Sequence, residues 1–319
     1  MYKSLKALAL LIISVTIISS CGTSYVSVPV TRPAEVNMSN YKKITIGEFT
    51  NAYDRKDRYF ESKLQTEIIR SNKFEVLDRK NIDKILTEKG MTIDGIIGDN
   101  GSGLGTLVAA TALITGVVLE QTTNQDTKST GTYKDKKGVT HTNYETITTA
   151  DLVVVFNITD LSSGRIIYNT ELKKNKSEKD HFVDRSTKKI DRYKLLSQAK
   201  EELARDFLKK IIPYQEYVSV PFKKADDHFE AGISYAQNGM LEQARDFFEN
   251  QTKKLSDKED LSKAHYNLGL CNMYLHDFDK ATANFEDAEK HFHDEDYIKA
   301  HSTNVRMEGE YRQVQEQTK

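Results

Sequence analysis

The sequence predicts two soluble folds in series: an α+β domain with α/β layers over residues 42–215, then an all-α helical-repeat domain over residues 225–319. Three observations predict this. Short apolar runs alternate with amphipathic helical segments as far as Pro213, the pattern of a layered domain. Strand-like runs then stop near Ala225. From there Gly, Ala and Phe recur at an interval of 37 residues. A chain of 319 residues has room for about two such domains.

The first element is not part of either fold. Lys3 and Lys6 precede an apolar run at residues 7–18, which Ile18-Ser19-Ser20-Cys21 closes with small residues. That is the layout of a secretory signal peptide. The run is shorter than the ~20 residues that span a bilayer. Ending in Cys21, it resembles the lipobox of bacterial lipoproteins. The resemblance implies removal of residues 1–20, a diacylglyceryl thioether on Cys21 and acylation of its new amino terminus. Several acyl chains at roughly 0.8 kcal/mol per buried CH₂ make a lasting anchor. Gly22 rather than Asp after the cysteine implies, by the same analogy, the outer membrane and its periplasmic face. Residues 21–41, with Pro29, Pro33 and many small polar residues, read as the lipidated cysteine and a tether.

Within the first domain Ile44, Ile46 and Phe49 suggest a strand. Tyr59, Phe60, Leu64, Ile68 and Ile69 recur at helical spacing. Phe74 to Leu77 is a short strand, and Asn81 is placed to cap a helix carrying Ile82, Ile85 and Leu86. Gly95 to Gly105 holds five glycines and reads as a loop. Leu113–Glu120 and Leu152–Ile158 read as buried strands, and Ser162-Ser163-Gly164 turns the chain into a further strand over Arg165–Leu172. Leu195, Leu196, Ala199, Leu203, Phe207 and Ile211 line one side of a helix over Tyr193–Ile212, which Pro213 ends.

The motifs FEVLDRKNIDKIL (74–86), ALITGVV (112–118) and VFNITDLSSGRII (155–167), in that order after a lipobox, resemble the CsgG family of curli assembly and transport. The resemblance covers Lys42 to Pro213. It implies an envelope lipoprotein, possible homo-oligomers and, in the curli system, a secretion channel. A channel needs membrane strands of ~9–11 residues with an apolar outward face. Residues 121–149 offer neither: Val139–Thr149 alternates with His141, Asn143 and Glu145 on one face and threonines and Tyr144 on the other. Burying Glu145 against lipid costs several kcal/mol. Residues 171–192 carry 13 charges in 22 positions. Both segments are expected to be solvated loops or hairpins.

In the second domain Ala231-Gly232, Tyr235, Gly239, Ala244 and Phe248 align with Leu268-Gly269, Asn272, His276, Ala281 and Phe285. The pattern resembles the tetratricopeptide repeat, period 34, with three residues added in the Lys253–Glu259 connection. Gly lets the paired helices approach, and Ala and Phe fill the space between them. Two repeats are expected, capped by a charged helix over Tyr297–Glu316. Such repeats imply a concave groove for a peptide or protein, with Tyr235, Asn267 and Asn272 as the candidate groove residues.

Composition and motifs exclude several chemistries. Against 47 Asp and Glu stand 46 Lys and Arg, two of them lost with the leader, so no nucleic-acid-binding balance exists. Cys271 lacks a partner once Cys21 is acylated, and its repeat position predicts a buried, inert thiol. The glycines of 98–105 lack the Gly-Lys-Ser/Thr ending of a phosphate loop. Asp94, Asp99 and Asn100 do not space as a calcium loop. His291, His293, Asp294, Glu295 and Asp296 read as a solvated helix end rather than a metal site. No nucleophile–base set stands out. The expectation is therefore no enzyme, no cofactor and no metal. The chain is expected to be a lipid-anchored factor that binds or assembles other envelope proteins. A subunit of a curli-type export complex and a regulator of cell-wall synthesis are the alternatives.

Overall fold

The computed structural model describes residues 22–51, 55–78, 111–184, 191–225 and 228–319. Cys21 and the leader, the helix expected after Asn81 and the glycine-rich segment 95–105 lie outside the described residues. The chain divides into two compact units, one of Met1–Arg32 with Gln215–Arg312, the other of Pro33–Tyr214 with Gln313–Lys319.

The second unit is built on a mixed sheet. Its strands are β2 (Lys43–Asn51), β3 (Glu75–Leu77), β4 (Thr111–Lys134), β5 (Thr140–Asp160) and β6 (Ile166–Val183), in the order β3-β2-β4-β5-β6. β2 runs parallel to both β3 and β4, whereas β4–β5 and β5–β6 are antiparallel. Helices α1 (Arg58–Ser71) and α2 (Arg192–Ile211) cover one face. Asp57 caps α1 by accepting from the Phe60 N–H, and Asp191 caps α2 by accepting from Tyr193 and Lys194. The core between sheet and helices is aromatic at its centre. Phe156 stacks on Phe207 at 4.1 Å between ring centroids and meets Phe49 edge-on at 5.6 Å.

Of the two alternatives expected for the inserted segments, solvated loops or hairpins, the structure shows hairpins: β4, β5 and β6 continue through them as one antiparallel sheet, paired to Lys134↔Thr140 and Asn143↔Val183. The absence of an apolar face was read correctly, but β-branched threonine supplies strand propensity without apolarity. Thr127 and Thr146 bond across the strands at 2.7 Å between hydroxyls. The side facing α2 carries Lys174, bonded to Asp206 at 2.7 Å, and Lys176, bonded to Glu202 at 2.7 Å.

At the hairpin end His141 Nδ1 lies 2.8 Å from Asp184 Oδ2, and Nε2 lies 3.5 Å from Asp135 Oδ2. The Asp184 bond, helped by Asp135, holds the imidazole above its ordinary pKa. A raised folded pKa adds stability that is complete below the unfolded value of about 6.5 and is lost as pH rises through the folded value. A proton NMR titration of His141 is therefore expected to show a midpoint above 6.5, and Asp184→Asn to move it down. A midpoint at or below 6.5 in the unaltered chain would contradict this contact.

The first unit joins a two-stranded ribbon to five helices. The ribbon pairs β1 (Thr23–Arg32) with β7 (Tyr214–Lys223). Residues 23–32 are thus a strand and not the expected tether. Val26, Val28 and Val30 alternate inward and are buried in the same core as Val220 and Phe222. Both strands contain Tyr-Val-Ser-Val-Pro, at 25–29 and 217–221. In a two-stranded ribbon each strand is an edge, where proline is tolerated.

After the ribbon come α3 (Glu230–Gln237), α4 (Leu241–Lys254), α5 (Lys258–Tyr274), α6 (Phe278–His291) and α7 (Glu295–Gln317). Consecutive helices from α3 to α6 pack on one another. Ala244, Phe248, Ala281 and Phe285, the repeated positions, are all buried. A Cβ on Gly269 would stand 2.6 Å from Phe285 Cε1, and one on Gly232 would stand 2.8 Å from Phe248 Cζ. Glycine is required for this close approach. Gly269→Ala gains about 1 kcal/mol of helix propensity against an overpacking cost of about 1–3 kcal/mol. A net destabilisation in urea unfolding is expected, and a stabilised variant would show that the Phe285 ring yields freely. The charged helix expected over Tyr297–Glu316 is α7, with Tyr297, Ala300, Asn304 and Met307 on its buried side.

Candidate partner-binding surfaces

Of the three candidate groove residues, only Tyr235 is open to solvent, at 40% exposure. Asn267 and Asn272, both on α5, are buried. α5 is enclosed nearly all round, so residues that a two-helix repeat would show to a groove are here inside.

Asn267 corrects the groove expectation outright. Its Oδ1 accepts from the Lys223 N–H at 2.9 Å, and its Nδ2 donates to the Lys223 carbonyl at 2.8 Å. A carboxamide carries one acceptor and donors on the same plane, so it completes a strand edge as a neighbouring residue would. The position expected to take a partner's backbone takes the chain's own β7. Asn272 makes no such bond through its carbonyl: its Oδ1 is buried without a partner.

Lys223 is held from its other end too. Its ammonium lies 2.9 Å from Asp294 and 2.6 Å from Asp296. Burial works against its charge, but the bonds from Asp296 and Asp294 outweigh burial and raise its pKa. His293 bonds Glu289, which raises the imidazole pKa. Glu295 pairs with Lys299 at 3.5 Å, so four of the five residues weighed as a metal set are engaged in ion pairs. Among the described residues no group of three His, Cys, Asp or Glu is placed to hold a metal ion. Cys271 is fully buried, and burial pushes its thiol pKa up, which removes thiolate reactivity.

The second surface is the sheet extension. On the face away from α2, Glu145 sits opposite Lys128 and His181 in register. Its carboxylate lies 3.3 Å from Lys128, 3.8 Å from Lys179 and 3.8 Å from His181. The Lys128 bond, with the other two cations, holds the Glu145 pKa below the usual carboxylate value. The other side of β5 carries Thr146 and Thr148, and Tyr144 stacks on Phe182 at 5.4 Å. The charged cross-strand cluster occupies the more open side, whereas Thr146 and Thr148 on the other side are buried. Among the described residues no helix is long and apolar enough to cross a membrane.

A third feature joins α1 to α2. The Lys200 ammonium bonds the capping carboxylate Asp57 and faces the Tyr59 ring at 5.5 Å. Both ends of the pair are largely buried, so it is part of the packing and positions the helices.

The surface missed at the sequence level is the ribbon. The doubled Tyr-Val-Ser-Val-Pro was its visible signal, since a search for internal repeats compares the chain with itself across any separation.

Solved structures similar to this chain include a minor lipoprotein from Acinetobacter baumannii, 16% identical over 54% of this chain and 90% of that one, with a TM-score of 0.28. A PelC dodecamer from Paraburkholderia phytofirmans is 14% identical over 59% and 98%, with a TM-score of 0.28. Lipoprotein GNA1162 from Neisseria meningitidis is 12% identical over 52% and 97%, again with a TM-score of 0.28. No curated protein matches the chain. The family model described as curli production assembly/transport component CsgG matches residues 22–200, more than half of the chain. The match begins twenty residues before Lys42, where the resemblance read from sequence starts, and so takes in β1. The chain belongs to the CsgG family.

Proposed function

We propose that this protein is an outer-membrane lipoprotein, anchored on the periplasmic face through acylated Cys21, that binds and assembles other envelope proteins. It does so through the polar sheet extension of its CsgG-like unit and through the outer surface of its tetratricopeptide-type helices. The observation that carries the reading is the extension itself. Three long strands carry Glu145, Lys128 and Lys179 on one face. That face does not match hydrocarbon and does match a wet protein interface. Membership of an assembly and transport family supports the same class of role.

The second reading is a subunit of an oligomeric curli-type export complex, favoured by the family description. Two experiments separate these. Cys21→Ser is expected to leave an unprocessed precursor; normal maturation with unchanged membrane association would overturn the anchor. Detergent-extracted protein on a sizing column reads the second question. A monomer or small oligomer supports the binding factor, and a large ring supports export. Pull-down of crosslinked partners from intact envelopes should weaken when Glu145 and Lys128 are exchanged for alanine together, if the extension is the contact.

A further inference from the structure

We propose that the lipid anchor is mounted directly on the helical unit, and that the Gly22–Lys224 end of the β1–β7 ribbon faces the bilayer. This rests on the acylation of Cys21 proposed above. A tether of twenty flexible residues would let the anchored protein roam about 25 Å from its lipid. The structure leaves no such tether. The Gly22 carbonyl, one residue beyond Cys21, already accepts from the Lys224 N–H at 3.0 Å. Ser24 Oγ accepts from the Gln237 side chain at 3.2 Å. Val26, Val28 and Val30 are sunk in the helical core. Arg32 closes the strand by bonding Glu216 at 2.6 Å and Glu310 at 2.5 Å.

The Cys21 α-carbon is one peptide unit, about 3.8 Å, from that of Gly22, and its thioether glycerol extends only about 10 Å from the ribbon end. The headgroup layer must therefore come to this end of the unit. Exposed around it are Lys224, Tyr25 at 67% and, on the Gln237 side, Tyr235 near the end of α3 and Met240 in the α3–α4 turn at 40% and 47%, while Asp294 and Asp296 nearby are paired with Lys223. Lysine meets lipid phosphate and tyrosine sits at the level of the headgroups. The occupant is a lipid surface. The exposure of Tyr235, foreseen as a groove residue, is accounted for by the same arrangement.

The test uses the mature lipidated protein in phosphatidylethanolamine–phosphatidylglycerol vesicles that contain a headgroup-spin-labelled lipid. Asn238→Cys places a fluorophore at the α3–α4 turn. Lys254→Cys places one at the far end of α4, about 20 Å away along a 14-residue helix. Cys271 is buried, so labelling goes to the new thiol. Quenching is expected to be several-fold stronger at 238 than at 254. A Gly/Ser insert of about 15 residues before Gly22, which frees the unit by roughly 20 Å, should keep the protein on vesicles and abolish the difference. Equal quenching at the two sites without the insert overturns the proposal while leaving the anchor intact. Failure of Cys21 to incorporate labelled palmitate overturns both.

Discussion

Asn267→Ala is expected to loosen the ribbon from α5 and to lower the stability of the helical unit by about 2–4 kcal/mol, the cost of leaving two partly buried backbone groups without partners. The bonds lost are those to the Lys223 N–H and carbonyl, at 2.9 and 2.8 Å. Alanine restores neither, and water enters only if β7 moves away. Urea unfolding followed by helical circular dichroism gives the loss. Hydrogen exchange gives its place: the amides of Lys223 and of Lys224, the latter bonded to the Gly22 carbonyl, should lose protection first. Asn267→Asp separates bonding from volume. It keeps an acceptor for the Lys223 N–H but sets an oxygen against the Lys223 carbonyl, so it should recover little. An unchanged midpoint for Asn267→Ala would show that the ribbon holds by its valines alone.

Phe156→Ala is the corresponding lesion in the CsgG-like unit. Phe156 is fully buried, stacked on Phe207 of α2 and in contact with Phe49 of β2 and Phe60 of α1. One side chain thus joins the sheet to both helices. Truncating a buried phenylalanine costs about 3–5 kcal/mol, because the transfer energy and the cavity both count. For a unit of this size that corresponds to a fall in Tm of the order of 10 °C. Phe156→Leu keeps most of the volume and should cost clearly less. Calorimetry checks the size of the effect, and exchange at β5 and α2 amides checks its location. A loss under about 1 kcal/mol would mean that neighbouring rings collapse into the space.

Much of this was legible in the chain. The helical face of Leu195, Ala199, Leu203, Phe207 and Ile211 is the buried face of α2, because a period of 3.6 residues is local information. The repeat's glycine was expected to let the paired helices approach and its phenylalanine to fill the gap, and Gly269 and Phe285 do meet, since a fixed offset between two helices needs only the repeat. The strand core from Leu113 and from Leu152 was visible for the same reason. What escaped was set by distant partners. Pro29 made β1 look like linker until β7, almost 190 residues later, was found beside it.

By itself, then, the sequence determined the succession of a layered domain and a helical one, and the polar character of the extended hairpins. All of these are properties of neighbouring residues. Only the tertiary structure decided that residues 23–32 belong with the helices and that Asn267 serves the chain's own strand. The physical reason is that a carboxamide or a valine-rich strand has several possible partners of equal chemistry. The choice among them is made by which backbone the fold brings within about 3 Å.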